Sequence, residues 1–196
     1  MTKSLPWLVS MTMARPGDGV SSPVDAALLL AAESLSRGCP AALDTIWDLC
    51  ARDLYGLVLW RTGSVVDAED AVQDVFLRLA RSPRSLSAAT RPRAYLLTMA
   101  HRAAIDGQRR RRERPLDPNL LLLAPTVDPD RAADAERASR LVQGLPPKQR
   151  TVVFLKLFAE LTFEDIGRVT GVPTFTASSR YRLAIRHLRR KMGVDS

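Results

Sequence analysis

The residues best placed to do chemistry in this 196-residue chain lie near its carboxy terminus. At about 100° per residue, Phe175, Ser179, Arg186 and Arg190 fall on one side of a helix, with Thr176 and Arg182 flanking them. Arginine serves phosphates and guanine edges, serine and threonine hydroxyls serve either, and an apolar group meets thymine methyls. That mixture suits a reader of duplex DNA. Taken alone it also fits the solvated basic face of a small helical bundle. What favours DNA is the sequence just ahead of it, Ile166-Gly167 followed by Gly171-Val172, in register for a helix-turn-helix.

Two further sets occupy the amino-terminal half. Asp70, Gln73, Asp74 and Phe76 lie at or near the outer side of a helix whose start carries Asp67 and Glu69. An acidic patch carrying an aromatic, in a chain of net charge +8, suits a protein partner better than DNA. The helix dipole accounts for Glu69 and Asp70 without any partner, though not for Phe76. The second set is Arg93, Tyr95, Arg102, Asp106, Arg109 and Arg110. Aromatics stack on unpaired bases while arginines hold the backbone, so the set suits separated strands; Tyr95 taken singly also suits a core. Catalysis has no candidate. Cys39 and Cys50 lack a CxxC or Cys/His spacing, His101 and His187 sit among arginines, and the clustered carboxylates have no other ligand beside them. No metal and no cofactor are expected, and the chain is not read as an enzyme.

These sets require helices to hold them. Val24–Arg37 and Ala41–Trp60 carry apolar residues at helical spacing, the first closed by Gly38 and Pro40 and the second by Arg61-Thr62-Gly63. Asp67–Ala80 is a third helix, with Asp67 suited to its N-cap and Ala68, Val72, Val75 and Leu79 as its inner stripe. Residues 81–91 read as a polar loop. Pro92 opens a long helix that ends in the arginine run at 109–112. Leu145-Pro146-Pro147 opens another. Thr162, three residues before Asp165, starts a short helix that Gly171 ends, with Gly167 at a close crossing. The last helix runs from near Pro173 to Lys191 and buries Ala177, Tyr181, Ala184 and Leu188. No strand-like alternation intervenes, so the expected fold is all-α.

Composition divides the chain further. Residues 1–23 have no apolar core adequate for a signal peptide and read as a disordered amino-terminal extension. Residues 24–114 form one helical domain and 134–196 a second. Between them, Pro115–Asp130 holds four prolines, three aspartates and no lysine or arginine, so 115–133 is an acidic flexible linker. Its run Leu120–Leu123 is too apolar to stay in solvent. No membrane insertion is expected. The positive charge favours a polyanionic partner.

Three segments together, DAEDAVQDVFLRLA, RPRAYLLTMAHRAAIDGQRRRRER and LPPKQRTVVFLKLFAELTFEDIGRVTGV with its SSRYRLAIRHLRR helix, resemble extracytoplasmic-function (ECF) sigma factors of the sigma-70 family. The likeness covers roughly residues 24–192 and implies a cytoplasmic promoter-specificity subunit of bacterial RNA polymerase. On that likeness Asp67, Glu69, Asp70, Gln73, Asp74 and Phe76 dock on the clamp helices of core polymerase. Arg93, Tyr95, Arg102, Asp106, Arg109 and Arg110 read and melt the minus-ten element. Thr174, Phe175, Thr176, Ser178, Ser179, Arg180, Arg182 and Arg186 meet the minus-thirty-five element, with Lys148, Arg150 and Arg190 on phosphates. The carboxy-terminal unit also touches the polymerase flap, the linker lies near the RNA exit path, and an anti-sigma factor is a further partner the likeness allows. Phe175 and Ser178 stand where recognition helices of the family often carry a small residue and a lysine, and Leu183 lies on the outer face where a polar residue is expected. The rival reading is an operator-binding helix-turn-helix regulator, which would bind as a dimer.

Overall fold

Apolar residues at helical spacing become helices along nearly all of the chain described, residues 23–112 and 141–192 of a computed structural model. The amino-terminal extension, the linker at 115–133 and its Leu120–Leu123 run lie outside the described residues, apart from Pro23. Among the described residues run the helices α1 (Pro23–Ser36), α2 (Ala42–Thr62), α3 (Val65–Arg81), α4 (Arg84–Ser87), α5 (Pro92–Arg112), α6 (Pro147–Leu157), α7 (Phe163–Thr170) and α8 (Thr174–Met192). No strand occurs among the described residues. Pro92 and Pro147 open α5 and α6 as anticipated, because a first-turn residue has no intrahelical N–H bond to lose.

Two local expectations change. Asp67 is not the N-cap of its helix. Ser64, in extended conformation, caps it by accepting a hydrogen bond from the Asp67 N–H at 3.2 Å, and α3 begins at Val65. The stretch 81–91 is not all loop either: α4 turns within it and buries Leu86 completely.

α2 is the hub. It packs against α1, α3 and α5 in the amino-terminal half and against α6 in the carboxy-terminal half. Its buried side chains Ile46, Leu54, Leu57 and Val58 meet Val72, Val75 and Leu79 of α3 and Leu96, Leu97 and Ala100 of α5 in a single apolar cluster. Val152, Phe154, Leu155 and Ile166 belong to that same cluster. Both helical units read from the sequence are therefore present, and they also pack on each other. The seam works because Gly56 has no side chain: a Cβ there would lie 2.8 Å from the Phe154 ring. Trp60 stands beside it, 5.7 Å from Phe154 and 4.8 Å from Phe158 between ring centroids. On the other side α7 rests on α5.

Gly167 and Gly107 test how much backbone crowding matters. A Cβ at Gly167 would sit 2.7 Å from the Val172 carbonyl oxygen, whereas a Cβ at Gly107 meets nothing within 4 Å. Alanine gains up to about 1 kcal/mol over glycine inside a helix, but overpacking against backbone costs about 1–3 kcal/mol. Gly167→Ala should thus lower the thermal midpoint, and Gly107→Ala should raise it, in circular-dichroism melts.

Candidate functional site

The helix-turn-helix is assembled from a few hydrogen bonds. Thr162 Oγ1 accepts from the Asp165 N–H at 3.1 Å and donates to the Asp165 carboxylate at 2.8 Å. That carboxylate, 4 % exposed, also accepts from Arg168 of α7 and from Arg91 just before α5, at 3.1 and 3.0 Å. Gly171 then turns through φ 68°, a left-handed conformation cheap only for glycine, and the Val172 N–H returns to the Gly167 carbonyl. α8 leaves at the angle this sets.

On α8 the inner stripe falls where the spacing puts it. Ala177, Ala184 and Leu188 are buried, and half-buried Tyr181 meets Phe163 edge-on at 5.6 Å. Desolvation raises the Tyr181 phenol above its ordinary pKa. Thr174, Phe175, Arg182, Leu183, Arg186 and Arg190 are exposed, and Thr176, Ser178, Ser179 and Arg180 are half-exposed. Arg182 donates to the Ser179 hydroxyl at 3.3 Å, which holds the two side chains together on the outer face. Ser178 spends its hydroxyl on the Phe175 carbonyl. Lys148 stands in solvent at the start of α6.

Arg150 does not. It was expected on phosphates, yet it is 8 % exposed and bonds to Gln143, because α6 lies against α2 and turns this side of the helix inward. Arg61 of α2 is buried beside it and donates to Thr151 at 3.2 Å. Burial holds both guanidiniums below their ordinary pKa, and Arg150 adds to the effect on Arg61.

Arg93 is likewise engaged, paired with Asp53 at 2.6 Å while its backbone N–H bonds Asp25, so it is not free to hold a DNA strand. Tyr95 is half-buried against the core. Arg102, Asp106, Arg109 and Arg110 are exposed. At about 100° per residue, Tyr95, Arg102, Asp106 and Arg109 fall within one arc of roughly 60°, a single aromatic-to-basic strip along α5.

Along α3, Glu69, Asp70 and Gln73 are exposed, Asp67 is half-buried, and Asp74 pairs with Arg78 at 2.8 Å. Phe76 is not fully outward. It is half-buried and tilted against Trp47 of α2, centroids 4.8 Å apart. Together they line an open apolar groove of about 730 Å³ with Ala51, Tyr55, Val72 and Leu77. Sequence reasoning missed its α2 wall, although Trp47, Ala51 and Tyr55 recur every four residues in a row next to the buried Ile46, Cys50 and Leu54. Among the described residues, no cluster of three or more His, Cys, Asp or Glu could hold a metal, and no helix is long and apolar enough to cross a membrane.

A helix-turn-helix carried behind an acidic, grooved helical bundle defines a DNA-binding transcription factor that also engages a protein. The family models for sigma-70 region 2 and sigma-70 region 4 match residues 46–114 and 141–190. The chain is 33% identical over 146 residues to the ECF RNA polymerase sigma factor RpoE of Cereibacter sphaeroides, covering 68% of this chain and 77% of that one. It is 30% identical over 164 residues to SigK of Mycobacterium ulcerans, covering 79% and 88%. Its fold matches CnrH in complex with the cytosolic domain of CnrY (TM-score 0.66, 16% identity, 87% of this chain and 99% of that one). It also matches RpoE in complex with the anti-sigma factor NepR from Bartonella quintana (TM-score 0.66, 20% identity, 80% and 99%). The chain belongs to the ECF sigma factors of the sigma-70 family. It is a promoter-recognising transcription initiation factor of RNA polymerase.

One buried group makes the stability of this factor depend on pH. His101 of α5 is 6 % exposed and its Nδ1 has no partner. Burial, then the charges of Arg61 and Arg102, push its pKa down to about 4. The folded chain therefore keeps the imidazole neutral while the unfolded chain takes up a proton below about pH 6.5. Stability should be unaffected by this group above pH 6.5 and fall by about 3 kcal/mol between pH 6.5 and 4. Urea unfolding across that range, compared with His101→Gln, should isolate the loss in the native protein.

Proposed function

We propose that three surfaces of this sigma factor divide its work. The groove between α2 and α3, with Glu69, Asp70 and Gln73 on its acidic side, docks on the clamp helices of core polymerase. The strip on α5, with the turn that precedes it, reads and opens the minus-ten element by stacking an unpaired base beside arginines. α8 enters the major groove of the minus-thirty-five element, with Lys148 and Arg190 on phosphates, and the carboxy-terminal unit touches the flap. The chain acts by binding, without a catalytic step of its own, in the cytoplasm where polymerase is. The observation that carries this reading is the exposed outer face of α8, whose Ser179 and Arg182 are held together beside Arg186.

The packed arrangement bears on how it works. Two DNA elements two turns apart are separated by about 68 Å, and the roughly 20 residues between Arg114 and Ala135 reach at most about 65–70 Å when extended. With α7 resting on α5 and Arg91 tied to Asp165, the two readers are far closer than that. The free protein is thus the closed form, and core polymerase separates the halves. An anti-sigma factor would hold them closed; one structural neighbour, RpoE from Bartonella quintana, is solved with the anti-sigma factor NepR bound.

Measurements of polymerase binding, molecular size, assembly rate and strand opening test this. Asp70→Arg and Leu77→Asp should weaken core-polymerase binding at least tenfold in a pull-down titration with helicity unchanged, since both side chains are exposed; loss of fold would sink the docking assignment. Gly56→Leu should wedge the seam against Phe154, enlarge the radius of gyration in small-angle scattering and speed holoenzyme assembly. In permanganate footprinting, thymines of the minus-ten element should react only when polymerase is present. Tight binding to a palindromic site without polymerase would favour the operator-binding regulator instead.

A further inference from the structure

Two apolar side chains stand on the face of α8 that is left for DNA. Phe175 is 72 % exposed and Leu183 is 51 % exposed. Both lie within about 50° of the middle of the outer face by helical geometry, with Ser179 between them. Neither contributes to the packing of α8, which rests on Ala177, Ala184 and Leu188. Exposed Arg182 and Arg186 flank the pair. An apolar pair set in a cationic face suits a polyanion that itself carries apolar groups. The floor of the DNA major groove is such a surface, and its one apolar feature is the thymine 5-methyl group. The complementary protein surface would have to be acidic and apolar at once, and nothing on this face singles it out.

We infer that Phe175 and Leu183 are specificity-determining residues that read thymine methyl groups in the upstream promoter element. This rests on the reading of α8 as the minus-thirty-five helix and adds what it prefers there. Eight residues along a helix span about 12 Å at 1.5 Å per residue. At about 3.4 Å per base pair, that distance covers three to four steps of the duplex. The element therefore carries two A·T pairs, on either strand, three to four base pairs apart. Ser179 and Arg182 meet polar base edges between them, where arginine favours guanine.

The test uses holoenzyme reconstituted from the full chain and core polymerase. Upstream elements are selected from a duplex library randomised in that region, then resynthesised with deoxyuridine in place of each thymine, which deletes only the methyl group. The selected pool should hold thymine at two positions three to four base pairs apart. Deoxyuridine at either should weaken binding about three- to fivefold, the worth of one buried methyl. Phe175→Ala should weaken binding of the selected element about as much as deoxyuridine does and abolish the deoxyuridine effect at one position, and Leu183→Ala should do the same at the other. Indifference to deoxyuridine, or selection of G·C at both positions, overturns the inference. So does an unchanged DNA preference in both variants combined with lost binding of an anti-sigma protein, which would make the pair a protein contact. No protection of the upstream element by unmodified holoenzyme is a different result: it defeats the reading of α8 itself.

Discussion

The Phe154 ring lying on the bare backbone of Gly56 is the contact on which the arrangement of this sigma factor depends. A Cβ at position 56 would lie 2.8 Å from the ring, so any other residue there would push Phe154 out of its place between α6 and α2. Trp60 and Phe158 then close around it, and Val152, Phe154, Leu155 and Ile166 join the amino-terminal core, while Leu145, Val153, Ala184 and Leu188 form a smaller cluster of their own. Burying a phenylalanine side chain is worth about 1.5–3 kcal/mol, and edge-on or offset ring pairs add about 0.5–1.5 kcal/mol beyond the area. The seam is firm enough to set the geometry of the free protein without being permanent.

Polar groups at the same seam work in both directions. Arg91 and Asp165 link α5 to α7, but Arg91 is more than a third exposed, so solvent screening leaves that pair little more than about 1 kcal/mol. Against it, Arg61 and Arg150 bring two guanidiniums into the interior beside neutral His101, with hydroxyl and amide partners and, among the described residues, no carboxylate. Buried like charges without a counter-ion are costly. The apolar seam holds the halves together while the cations near it oppose that closure, which suits a joint that polymerase has to open.

Asp165 shows how one residue can serve two levels of structure. Its backbone N–H is capped by Thr162, which starts α7 and so sets the helix-turn-helix. Its carboxylate reaches Arg91 in the other half. The capping role was legible from Thr162 and Asp165 three residues apart, because capping is local. The link to Arg91, 74 positions away, had no sequence signal.

That contrast runs through the whole chain. Helical spacing, Pro92 and Pro147 at helix starts, Gly171 at the turn and the Ala177–Ala184–Leu188 stripe were determined by the sequence, because each depends on neighbours within a turn or two. So was the outer face of α8, since what a helix buries dictates what it shows. Only the tertiary structure decided that Arg150 and Arg93 face partners instead of DNA, that Phe76 leans on Trp47 to make a groove, and that the two halves share a core. Those outcomes depend on which helix lies against which. An arginine on a helix reads the same in sequence whether that side meets water or, as Arg150 does, the flank of α2.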